Sequence, residues 1–131
     1  MKLTKQQAIE EHRKMWNWIA DQYAKYEGRL VNNSDGQLTG VRLKAKYFAI
    51  NNLPIIDNAC FCCEYDADSC EGCPVQWTDY NDRPLPTCSE ISRNSTSGGL
   101  YKMMVNISCK HLVDTELCEE VARKIANLKE K

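Results

Sequence analysis

The stretch Cys60-Phe61-Cys62-Cys63-Glu64-Tyr65-Asp66-Ala67-Asp68-Ser69-Cys70-Glu71-Gly72-Cys73 decides how this chain is read. It contains two Cys-x2-Cys pairs, Cys60 with Cys63 and Cys70 with Cys73. Each pair forms a tight knuckle that presents two thiolates to one ion, and two pairs complete a tetrahedron around Zn2+. The gap between the pairs is shorter than the roughly 15–20 residues of zinc ribbons, so the expected site is compact. The ligand register stays open, because Cys62 can replace Cys63 and Cys88 can replace any of the four.

Residues 57–90 carry little hydrophobic periodicity and need a crosslink to be ordered. Zinc binding is worth about 10–16 kcal/mol in small zinc peptides, enough to decide whether such a stretch folds. A redox-active Cys-x2-Cys would need a strand-to-helix setting of thioredoxin type, which the sequence around Cys60 and Cys70 does not offer. A site with four thiolates leaves no coordination position for water, so it argues for architecture and not for catalysis. The remaining thiols, Cys88, Cys109 and Cys118, read as buried apolar cysteines, the usual state of a free thiol. Cys88, Cys109 and His111 make a weaker candidate for a second site.

Working outward, residues 4–27 give the clearest helix. Thr4 suits the N-cap and Gly28 the stop. Ile9, His12, Met15, Trp16, Ile19 and Tyr23 follow the spacing of one helix face. His12 reads as a satisfied core histidine. Trp18 breaks the pattern: at about 100° per residue it projects nearly opposite Trp16, among Glu11, Lys14, Gln22 and Lys25. It either packs against Trp77, which is expected to fold back over the knuckle, or serves as an anchor for another protein.

Residues 31–40 read as a loop with an Asp35-Gly36 turn. Residues 41–50 fit both a strand and a short helix, and the helix is preferred. Residues 91–99 read as a flexible loop. Tyr101, Met103, Val105 and Ile107 alternate, which predicts a strand at about 100–108. Residues 114–129 predict a second helix, capped by Asp114 or Thr115, with Leu117, Val121, Ile125 and Leu128 as its buried stripe. The expected fold is therefore a single α+β domain, with N- and C-terminal helices around a central four-cysteine zinc knuckle and a short strand or hairpin.

The 131 residues carry a net charge of −1, which excludes a strongly basic protein drawn to nucleic acid as a whole. Charge is unevenly spread: nine Lys/Arg against five Asp/Glu in residues 1–50, and four against eight in residues 51–110. A nucleic-acid role would have to use Arg29, Arg42, Lys44 and Lys46, away from the acidic cysteine segment. No phosphate-binding glycine loop, Gly-x-Ser-x-Gly elbow or His-Glu-x2-His motif occurs, so an enzyme is not expected. Neither a signal peptide nor a membrane-spanning run is visible, and the chain is read as cytosolic.

The residues His12 to Ala20, the Cys-Phe-Cys-Cys-Glu-Tyr segment, Cys70-x2-Cys73-Pro74-Val75-Gln76-Trp77 and the ending Ala122 to Leu128 resemble a group of small cysteine-rich proteins. These are encoded by bacteriophages and prophages of Gram-positive bacteria. The likeness covers about half the chain. It implies a phage accessory protein in the bacterial host cytoplasm, binding a host or phage protein and inhibiting host defence or redirecting host machinery.

Overall fold

The structure, a computed structural model, describes residues 4–52, 75–84 and 99–130. Helix α1 (Lys5–Ala24) starts where its cap chemistry directs. The Thr4 hydroxyl accepts from the Gln7 backbone N–H at 3.1 Å, while the Gln7 side chain accepts from the Thr4 N–H at 3.0 Å. This reciprocal box satisfies two of the donors a helix start leaves unpaired. The chain then turns through Glu27 and Gly28, both at positive φ, into β1 (Leu30–Asn32).

Helix α2 (Gly40–Ile50) begins at Thr39, whose hydroxyl accepts from the Arg42 N–H. Helix α3 (Leu100–Ser108) is followed directly by β2 (Leu112–Asp114) and α4 (Thr115–Ala126). Asp114 caps α4 through the Leu117 N–H, with Glu116 in the first turn and Arg123 and Lys124 in the last, each where the helix dipole favours it. Among the described residues, the fold is four helices with a two-stranded antiparallel sheet, an α+β arrangement. Strand partners are Leu30 with Asp114, Val31 with Val113 and Asn32 with Leu112.

The core lies chiefly between α1 and α4. Ile9, Met15, Trp16, Ile19 and Tyr23 of α1 meet Cys118, Val121, Ala122 and Ile125 of α4, and the small side chains Ala20, Ala122 and Ala126 let the helices approach closely. Arg123 reinforces this seam from outside, reaching Asp21 at 2.7 Å. Asn33 is the polar tie that holds the sheet to the helices. It donates to the Ser108 carbonyl at 3.0 Å, accepts from the Leu38 N–H at 2.8 Å, and is itself buried. Tyr23 completes the tie by donating to the Leu38 carbonyl at 2.7 Å, and burial raises its phenol pKa. Between α2 and α3 the contact is tight at Gly40, where a Cβ would stand 3.1 Å from Met104.

The strand expected at about 100–108 is a helix. A short apolar run carries both periods at once, and burial decides between them. Leu100, Met104 and Ser108, four residues apart, are the buried positions, while the alternating Tyr101, Met103, Val105 and Ile107 are only half-buried. The strand pair instead joins residues 30–32 to 112–114, so the start of the expected 31–40 loop is extended. The helix expected over 4–27 runs from Lys5 to Ala24, and that expected over 114–129 from Thr115 to Ala126. Residues 41–50 take the helical alternative.

Candidate functional site

Cys60, Cys62, Cys63, Cys70, Cys73 and Cys88, and with them the expected zinc knuckle, lie outside the described residues. Among the described residues no group of three or more His, Cys, Asp or Glu is placed to hold a metal. Cys109 is exposed on the turn after α3, next to the exposed His111, and its thiol donates to the Asn106 carbonyl at 3.4 Å. It is therefore not the buried thiol expected there. Cys118 is fully buried on the inner face of α4, where desolvation, followed by the Asp114 charge, pushes its thiol up to about 12. At neutral pH Cys118 is an inert thiol.

Four segments converge on a buried aromatic cluster. His12 and Trp16 come from α1, Lys44 from α2, Tyr101 from α3, and Trp77 from the described segment 75–84. The Trp77 ring stands edge-on to His12 at 5.7 Å and to Tyr101 at 6.4 Å. The His12 Nε2 lies 2.9 Å from the Ile125 carbonyl oxygen. A carbonyl only accepts, so Nε2 carries the proton and ties α1 to α4. Lys44 is 3% exposed, and its ammonium sits 4.5 Å from the Tyr101 ring centre and 5.7 Å from that of Trp16. It also donates to the Tyr101 hydroxyl at 3.3 Å. These contacts offset the cost of burying an ammonium that forms no ion pair with a described residue.

The burial of Lys44 corrects its place in a basic surface. Arg29, Arg42 and Lys46 are exposed, but Lys44 points into the cluster and is not offered to a phosphate backbone. Trp77 is likewise not the packing partner of Trp18. Trp18 lies against Tyr47 of α2, with ring centres 5.6 Å apart and a 59° tilt. It is half-buried, and its indole N–H has no acceptor among the described residues. Beneath it, burial raises the Tyr47 phenol pKa, as do the Glu11 charge and a hydrogen bond with Glu11.

A groove of about 760 Å³ runs between the segment 75–84 and the end of α4. Gln76, Thr78, Asp82 and Pro84 form one wall, and Glu120, Lys124, Asn127 and Leu128 the other. Its polar groups are largely committed to each other: Tyr80 donates to Glu120 at 2.7 Å, and Lys124 lies 5.0 Å over the Tyr80 ring and 4.0 Å from Asp82. Neither His12 nor His111 lines it, and it gathers no nucleophile with a base.

Sequence reasoning missed the Lys44 cluster, since a lysine on a short amphipathic helix reads as solvated. The only available signal was the density of aromatic residues on α1 and near residue 101. No helix among the described residues is long and apolar enough to cross a membrane. No protein-family model, no curated protein and no solved structure matches this chain.

Proposed function

We propose that the protein is a small binding module that recognises another protein through the Trp18 side of α1, with a structural zinc ion held by Cys60, Cys63, Cys70 and Cys73. The observation that carries the binding role is Trp18 itself. A large aromatic side chain stands half-buried on a long, well-capped helix, tilted against Tyr47 and with an indole donor that has no acceptor among the described residues. Tryptophan in such a setting is preorganised for a partner: its position is fixed by packing while part of its apolar surface and its donor remain available.

The zinc reading rests on the ligand spacing. Its context in the fold is consistent with a clamp, because the flanks of residues 53–74 are fixed. Asn51 closes α2 by bonding back to Tyr47, and the buried Val75 pairs with Glu130 next to the C-terminal helix. A crosslink between two fixed ends restrains the chain without needing a large core of its own. The resemblance to phage proteins noted in the sequence implies action in a bacterial host cytoplasm, on a host or phage protein.

Two experiments test these halves separately. Metal analysis of freshly purified, reduced protein is expected to give one equivalent of zinc, lost on Cys60→Ser or Cys73→Ser; less than half an equivalent refutes the clamp. For binding, a photo-crosslinking residue at Gln22, beside Trp18, is expected to capture a protein in producing bacterial cells. The same probe at Glu119, on α4, captures none. An adduct from Gln22 that persists when Trp18 is replaced by Ala refutes the role of Trp18.

A further inference from the structure

Resting on the binding role given above to Trp18, we infer that its face takes an acidic segment of a partner protein carrying one large apolar side chain. The geometry of α2 defines the face. Trp16 and Trp18 both reach α2, through Lys44 and Tyr47 respectively, so α2 lies against α1 between them. Lys44 and Gly40 turn toward α3. On a helix, Lys46 and Ile50 then fall on the opposite flank of Tyr47, the flank beside Trp18. Ile50 is 56% exposed and Lys46 is exposed. Lys14 and Lys25 of α1 lie one and two turns from Trp18 and are also exposed.

Positive charge exceeds negative on this face. Asp21 is paired with Arg123 at 2.7 Å, and Glu11, which accepts from the Tyr47 phenol, keeps its charge but stands against Lys14, Lys25 and Lys46. Lys25 donates only to the neutral Gln22 side chain, at 2.9 Å. Lys14 and Lys46 pair with no described residue. The face therefore presents an aromatic anchor and an exposed isoleucine inside a rim of three lysines that have no carboxylate partner among the described residues. Opposite charge on the partner completes the rim and suppresses wrong partners.

A nucleic-acid strand fits this surface less well. Single-stranded binding uses successive stacking platforms along a basic groove. Here one partly covered aromatic faces outward, and Ile50 beside it offers a contact that a phosphate backbone does not use.

Selection of random dodecapeptides on the immobilised full chain tests the inference, with Trp18→Ala and Lys14→Glu/Lys46→Glu as counter-targets. Lys14 and Lys46 are exposed and pair with no described residue, so the double variant is expected to keep its fold, verified by circular dichroism. Peptides that need Trp18 are expected to carry several Asp or Glu around one large apolar residue. They are expected to bind the double variant roughly tenfold more weakly. Trp18-dependent peptides that are neutral or basic overturn the acidic partner while leaving the binding role of Trp18 standing. An absence of any Trp18-dependent peptide overturns both. Tighter binding of oligothymidine than of the selected peptides, competing at Trp18, assigns the face to nucleic acid and overturns the inference.

Discussion

The two sides of α1 are built from the same residue types and do opposite things. Trp16 is 2% exposed, edge-on to Tyr101 and beneath the Lys44 ammonium. Two residues on, Trp18 is half-buried, supported from one side only by Tyr47. The inner side has its polar groups closed off: His12 donates to Ile125, and Tyr23 to Leu38. The outer side keeps an indole donor and lysines that pair with no carboxylate among the described residues. A helix needs only one buried stripe to fold, so Trp18 on the other side contributes little to stability, which fits the recognition role proposed for it.

The largest effect expected from breaking this contrast is at Trp16. Trp16→Ala removes a fully packed ring and leaves a cavity, costing about 3–5 kcal/mol in urea unfolding. Next comes the pH dependence of the inner seam. Burial raises the Cys118 pKa from its ordinary value of 9.0 to about 12, so the folded state holds this proton more tightly than the unfolded chain does. The resulting stability is present below pH 9 and is lost as pH rises toward 12, with a slope of at most about 1.4 kcal/mol per pH unit. Cys118→Ala is expected to flatten that slope in unfolding curves between pH 9 and 11. On the outer side the effects shrink. Trp18→Ala loses one tilted ring contact and part of its burial, about 1 kcal/mol. Lys14→Glu with Lys46→Glu is expected to change the unfolding free energy by less than about 0.5 kcal/mol.

Much of this contrast was legible in the sequence. The spacing of Ile9, His12, Met15, Trp16, Ile19 and Tyr23 gave the inner stripe of α1, and Thr4 marked its start. Trp18 stood out because a wheel at helical pitch leaves it opposite that stripe. Val121 and Ile125 gave the buried side of α4 in the same way. What could not be read depends on contacts between distant residues. Residues 100–108 satisfy helix and strand periods equally, and only the burial of Leu100, Met104 and Ser108 separates them. The three-residue strands are too short to show a period, and they exist because Asn33 and His111 bring their ends together with a 2.7 Å backbone hydrogen bond. Lys44 read as a surface cation because nothing local reveals that Tyr101, 57 residues away, supplies a ring and a hydroxyl for it. The same distance effect assigned Trp77 to His12 and Tyr101, leaving Trp18 to Tyr47.

The proposed division of α1 into a folding side and a binding side is tested most directly by two readings on one variant. Trp18→Ala protein carrying the photo-crosslinker at Gln22 is measured for its urea midpoint and for its yield of protein adduct in cells. The expected result is a midpoint lowered only by the roughly 1 kcal/mol of the lost ring contact, together with loss of the adduct. A midpoint lowered as far as that of Trp16→Ala, or an adduct that survives the substitution, contradicts it.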